Sequence, residues 1–141
     1  MKDRALYLLD TNTTGYILRR KSQQASLLLK DALEHSRVAV STVTHAEILY
    51  GFERNPEAHR LRDAAEQFFQ SIEVLDWDSE AARAYARLRN HLRMNGKSLE
   101  EADLFIAAHA LSLGAVLVSH DQAFRHVKPF LSAEDWATDL D

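Results

Sequence analysis

Ala5-Leu6-Tyr7-Leu8-Leu9-Asp10-Thr11-Asn12 sets a five-residue apolar run against an abrupt carboxylate. A run so short, apolar at successive positions, reads as a strand covered on both faces, the habit of parallel sheets. Three further runs share the pattern: Val38 to Ser41, Ile72 to Leu75, and Ala115 to Val118. The stretches between them carry a period near 3.6. Residues 78–95 put Ala81, Tyr85, Leu88 and Leu92 on one stripe. Residues 99–113 read as a helix that Gly114 closes, and Ser98-Leu99-Glu100-Glu101 has the spacing of a capping box at its start. Residues 56–70 predict a helix with Pro56 in its first turn, and 22–35 and 43–54 predict two more. Strands alternating with helices imply a parallel sheet covered on both sides. The expectation is one α/β domain over residues 1–141, rich in helix.

Composition narrows the class. The 141 residues suffice for one domain with a real core. Four glycines and two prolines leave little room for disordered linkers. The absence of cysteine excludes disulfides and thiolate metal sites, and it suits a cytoplasmic location. Met1-Lys2-Asp3-Arg4 leads into an apolar segment too short for a signal peptide or membrane span, so neither secretion nor membrane insertion is expected. The net charge of −4 is wrong for a protein that grips nucleic acid with its whole surface. Nucleic-acid chemistry would need local basic patches and metal ions. Arg19, Arg20 and Lys21 offer one patch; Arg83, Arg87, Arg89, Arg93 and Lys97 offer another. A solvated helix face is the plainer reading of either.

In open parallel sheets, ligands bind beyond the carboxyl ends of the strands. Asp10 follows the first strand, Glu47 lies about one turn past the second, and Asp121 follows the fourth. Asp103 sits early in the helix leading to that fourth strand. Each has a plainer reading. Asp10 and Asp121 suit helix N-caps, and Glu47 suits the far end of a capping box begun by Thr44. Asp103 resists one, because Ala102, Leu104, Phe105, Ile106, Ala107 and Ala108 around it are apolar.

These residues carry a resemblance to PIN-domain ribonucleases of the VapC toxin type, over nearly the whole chain. The matching stretches are Leu8-Leu9-Asp10-Thr11-Asn12, Ser41-Thr42-Val43-Thr44-His45-Ala46-Glu47, Ala102-Asp103-Leu104-Phe105-Ile106-Ala107-Ala108 and Val116-Leu117-Val118-Ser119-His120-Asp121. Ser98 and Glu100 depart from the pattern, where proline and a small residue are common. The resemblance implies a PIN-like three-layer α/β/α domain around a central parallel sheet of four or five strands. It further implies endoribonuclease activity, a four-carboxylate site at Asp10, Glu47, Asp103 and Asp121, a tightly bound VapB-like antitoxin, and pairing as a homodimer. Transfer or ribosomal RNA is the substrate it suggests, with messenger RNA left open.

Phosphodiester hydrolysis needs an activated water, neutralised phosphate charge and a stabilised leaving oxygen, which Mg²⁺ or Mn²⁺ can supply. Such hard ions prefer carboxylate oxygen and water. Asp10 and Asp103 are expected as direct ligands, with Glu47 and Asp121 completing the site directly or through water. Thr11, Asn12 and Ser119 are candidates to orient ligands or phosphate. A zinc site is not expected: no H-E-x-x-H occurs, and His109 reads as a hydrogen-bonded core residue. Two alternatives stand beside this reading, a DNA-directed nuclease of the same fold and a PIN-like module that only binds protein.

Overall fold

The computed structural model describes residues 4–128 and 130–140. Met1, Lys2 and Asp3, on which the reading of the amino terminus partly rests, lie outside the described residues. The elements run β1 (Leu6–Leu9), α1 (Thr11–Leu18), α2 (Gln23–His35), β2 (Arg37–Ser41), α3 (Thr42–Arg54), α4 (His59–Ser71), β3 (Glu73–Leu75), α5 (Ser79–Met94), α6 (Glu101–Leu113), β4 (Val116–Val118) and β5 (Ala133–Glu134), with a 3₁₀ segment at Gln122–Val127. All strand pairings are parallel, in the order β3-β2-β1-β4-β5. Among the described residues no helix is long and apolar enough to cross a membrane.

The pleat of β1 sends alternate residues into two cores. Leu6 and Leu8 pack with Leu88, Leu92, Leu104 and Ile106 from α5 and α6. Leu9 packs on the other face with Ala25, Leu29, Phe68 and Trp136. The three layers expected from the sequence are therefore present, with helices on both sides of the sheet. From β1 the chain steps one way to β2 and β3, and later returns to the other side of β1 as β4 and β5. Neighbouring β1 and β4 thus form the switch point, where crevices open at the carboxyl ends.

Three boundaries differ from expectation, each for a local reason. Pro56 does not begin α4. The Ala58 N–H donates to the Asn55 carbonyl at 3.2 Å, so Pro56 takes the second position of a turn, where its fixed φ is favourable. Ser98 does not cap α6, which starts at Glu101 with Glu100 as N-cap and no side-chain capping bond. Gly96, at φ +65°, ends α5, with its N–H on Arg93 and that of Lys97 on Leu92. This pairing is a Schellman closure, and residues 97–100 are spent crossing to α6. Thr44 is likewise no cap: Ser41 caps α3 by accepting from the Val43 N–H at 3.1 Å.

Candidate active site

Asp10 ends β1 and caps α1, its Oδ1 accepting from the Thr13 N–H at 2.8 Å. The capping role read from sequence holds, and the residue is only 2% exposed. Burial raises its pKa; hydrogen bonds from Ser119 and Thr13 oppose that, and the charge of Asp121 adds to it. Ser119, just past β4, also accepts the Asp121 N–H at 3.0 Å. One hydroxyl thereby joins the carboxyl ends of β1 and β4. Asp121 in turn caps the 3₁₀ segment through the Ala123 N–H at 2.8 Å.

Glu47 is exposed on α3, and the Thr11 hydroxyl donates to it at 2.6 Å. Thr44 Oγ1 lies 3.1 Å from Thr11 Oγ1. Since Thr11 spends its one proton on Glu47, Thr44 is the donor of that second bond. No local signal marks the part of this fully buried threonine; only its place one turn before Glu47 could have suggested it. Asp103 lies in the first turn of α6, half-buried. Burial first, then the charges of Asp121, Asp10, Glu100 and Glu47, push its pKa up to about 6.

Glu47, Asp103, Asp121 and Glu100 line one open cleft of about 640 Å³, with Thr11 and Asn12 on its rim. Asp10 is not on the cleft wall but lies buried close enough to act on Asp103. All four acids singled out in the sequence therefore meet in one electrostatic field, as does the departure at Glu100. Asn12 makes no side-chain hydrogen bond among the described residues and is exposed.

The donor set is all oxygen, which suits Mg²⁺ or Mn²⁺. Among the described residues no three His, Asp or Glu side chains are grouped tightly enough to hold one ion jointly. That spacing is still compatible with Mg²⁺, which keeps several waters and takes one or two carboxylates directly. Among the described residues no histidine lines the cleft. His45 packs on Phe69 with ring centroids 4.6 Å apart, and buried His109 bonds Ser41 at 2.9 Å, as a core residue should. His120 pairs with Asp135 at 2.9 Å.

Residues 7–128 match the family model of the PIN domain. Ribonuclease VapC2 of Haemophilus influenzae is 32% identical over 131 residues, spanning 92% of this chain and 97% of that protein. The tRNA(fMet)-specific endonuclease VapC of Salmonella typhimurium is also 32% identical, over the same shares. In structure, VapBC2 from Rickettsia felis bound to a DNA fragment from its promoter superposes with a TM-score of 0.87 at 26% identity, covering 93% of this chain and 98% of that one. The chain belongs to the PIN-domain family and, within it, to the VapC ribonucleases.

Proposed function

We propose that this chain is a Mg²⁺- or Mn²⁺-dependent endoribonuclease that cuts at the four-carboxylate cleft and acts as the toxin of a toxin–antitoxin pair. The observation that carries it is the meeting of Glu47, Asp103 and Asp121 on one cleft, with buried Asp10 close enough to act on Asp103. Acids so gathered make a field of one sign that a divalent cation would relieve. Asp10 and Asp103 would hold the ion, with Glu47 and Asp121 reaching it through water. When bound, the ion supplies Lewis-acid polarisation of the phosphate and a lowered pKa for a coordinated water.

The chain's own part is positioning. Ser119 and Thr13 fix the Asp10 carboxylate, and the Thr44–Thr11 relay fixes Glu47. Asn12, exposed and lining the cleft, would meet a phosphate oxygen. The similar solved structures are VapBC complexes; by that likeness a VapB-like antitoxin is the partner here. The deciding experiment incubates the purified protein with transfer and ribosomal RNA in Mg²⁺, Mn²⁺ or EDTA, beside Asp103→Asn. Cleavage that needs the ion and vanishes in the variant is expected. Metal-independent cleavage, or an active variant, overturns the proposal; cleavage of DNA in preference to RNA makes this a DNA-directed enzyme.

A further inference from the structure

The basic residues of α5 and its following turn divide in the structure. Arg83 is paired with Glu80. Arg89, Arg93 and Lys97 instead line a groove of about 360 Å³ between α5 and the start of α6. Tyr85, Arg89, Leu92 and Arg93 fall on one edge of α5 at positions i, i+4, i+7 and i+8. Arg89 is held there, donating to the Tyr85 hydroxyl at 2.9 Å with its guanidinium 5.9 Å from the ring centre. Arg93 donates to Asn90 at 3.0 Å, and the Lys97 ammonium lies 3.3 Å from His126 Nδ1. Among the described residues none of the three is in an ion pair, whereas Arg37 and Arg83 each are. Among the described residues Glu101 is the one carboxylate on the groove wall, so positive charge prevails.

This groove and the carboxylate cleft share a wall: Ser98 and Leu99 line both. An RNA strand entering a cleft of acids is repelled unless cations hold it nearby. The helical rise sets Arg89 and Arg93 ~6 Å apart along α5, about one nucleotide step of an extended strand. We infer that the Arg89–Arg93–Lys97 groove binds the sugar–phosphate backbone of the RNA strand beside the scissile phosphate. It holds the strand by charge and reads no bases. The inference rests on the ribonuclease reading and adds to it a substrate subsite.

The test measures binding of a short fluorescein-labelled single-stranded RNA by anisotropy, in EDTA and across a salt series, using the full chain carrying Asp103→Asn. Adding Arg89→Ala, Arg93→Ala and Lys97→Ala should weaken binding about tenfold or more at low salt. It should also flatten the slope of log K against log salt by about 2, as expected for three lost contacts to a single strand. Arg89→Lys with Arg93→Lys should keep the slope, which guards against a folding defect, and Arg83→Ala should change nothing. Unchanged affinity and slope in the triple variant overturn the inference. So does a triple variant that binds RNA normally but loses the antitoxin, since the groove is then the partner's. Cleavage of the same RNA by the wild-type protein in Mg²⁺ judges the ribonuclease reading separately: cleavage with unchanged binding discards the groove alone.

Discussion

The Thr11 hydroxyl donates to the Glu47 carboxylate at 2.6 Å while receiving a bond from Thr44, whose oxygen lies 3.1 Å away. Thr11 opens α1 and Glu47 sits in the middle of α3. The bond therefore links the two helices at the cleft, and it aims an otherwise exposed carboxylate. Buried Thr44 anchors the relay, so the geometry at Glu47 is fixed from the interior outward.

Thr11→Val keeps the shape and removes the relay. Glu47 loses its orienting donor, and the affinity for Mn²⁺ should fall about 10- to 100-fold, the usual effect of deleting an outer-shell partner. Thr11→Ser should restore it. Calorimetric titration with Mn²⁺ decides, and equal affinity in Thr11→Val would remove Glu47 from the ion's surroundings.

Asp103 gives the metal-free protein a pH dependence with a definite sign. Its folded pKa of about 6 lies above the ordinary 3.8, so the folded form holds the proton longer than the unfolded one. Its contribution to stability is full below about pH 4 and is lost as pH rises through about 6. Asp103→Asn should cancel this slope and stabilise the metal-free protein near pH 7 by on the order of 1–2 kcal/mol, after discounting for solvent screening. Adding millimolar Mg²⁺ should raise the wild-type melting temperature and leave the variant's nearly unmoved. Melting curves at pH 5 and 7.5, with and without the ion, test both; identical wild-type and variant profiles would mean the acids do not share a field.

Much of this was legible because strand ends are legible. Leu9-Asp10 and Val118-Ser119-His120-Asp121 mark abrupt polar exits from apolar runs, and a parallel sheet gathers such exits at one edge. Asp103 was conspicuous as a carboxylate among apolar neighbours. Local capping signals misled where tertiary demands outweighed them. The Gly96 turn and the crossing to α6 consume Ser98, and Thr44 serves Thr11 across 33 residues of sequence. Two-residue β5 carries no periodicity at all. The α5 arginines could not be sorted either, because sequence does not tell which edge of a helix borders a cleft.

His109 holds α6 to the start of α3. Its Nδ1 lies 2.9 Å from Ser41 Oγ, and the Asp76 backbone bonds the ring as well. Burial lowers its pKa below the ordinary 6.5, so its contribution is full above that value and is lost as pH falls below it, opposite in sign to Asp103. His109→Phe should cost about 2–3 kcal/mol by leaving Ser41 and the Asp76 carbonyl without their partner. Denaturant unfolding at pH 7.5 reads this, and a cost under about 0.5 kcal/mol would contradict the bridge.

The acids that attract an ion should also attract the partner. An arginine fork pairs well with a carboxylate, and the cleft offers several. We expect the antitoxin to place an Arg or Lys among Glu47, Asp103 and Asp121. Glu47→Gln and Asp121→Asn should each weaken the complex about 10-fold, within the range for a lost charge-assisted bond, and Mg²⁺ should compete with it. Antitoxin affinity indifferent to both substitutions and to Mg²⁺ would place its contacts elsewhere.

Asp10 combines two roles that substitution can separate. As N-cap it satisfies the Thr13 N–H; as a buried carboxylate it adds charge beside Asp103 and Asp121. Asparagine caps as well as aspartate, so Asp10→Asn should keep α1 and remove one unfavourable buried charge. Its metal-free melting temperature should equal or exceed that of the wild type, while RNA cleavage is lost. Asp10→Ala removes the cap too and should cost about 1–2 kcal/mol relative to Asp10→Asn. Both variants should be equally inactive, because the catalytic loss belongs to the charge and the stability loss to the cap. Parallel melting and cleavage measurements on the two proteins make the separation. Asp10→Asn cleaving RNA at a rate near the wild type's would leave Asp10 as a cap alone and take it out of the proposed metal site.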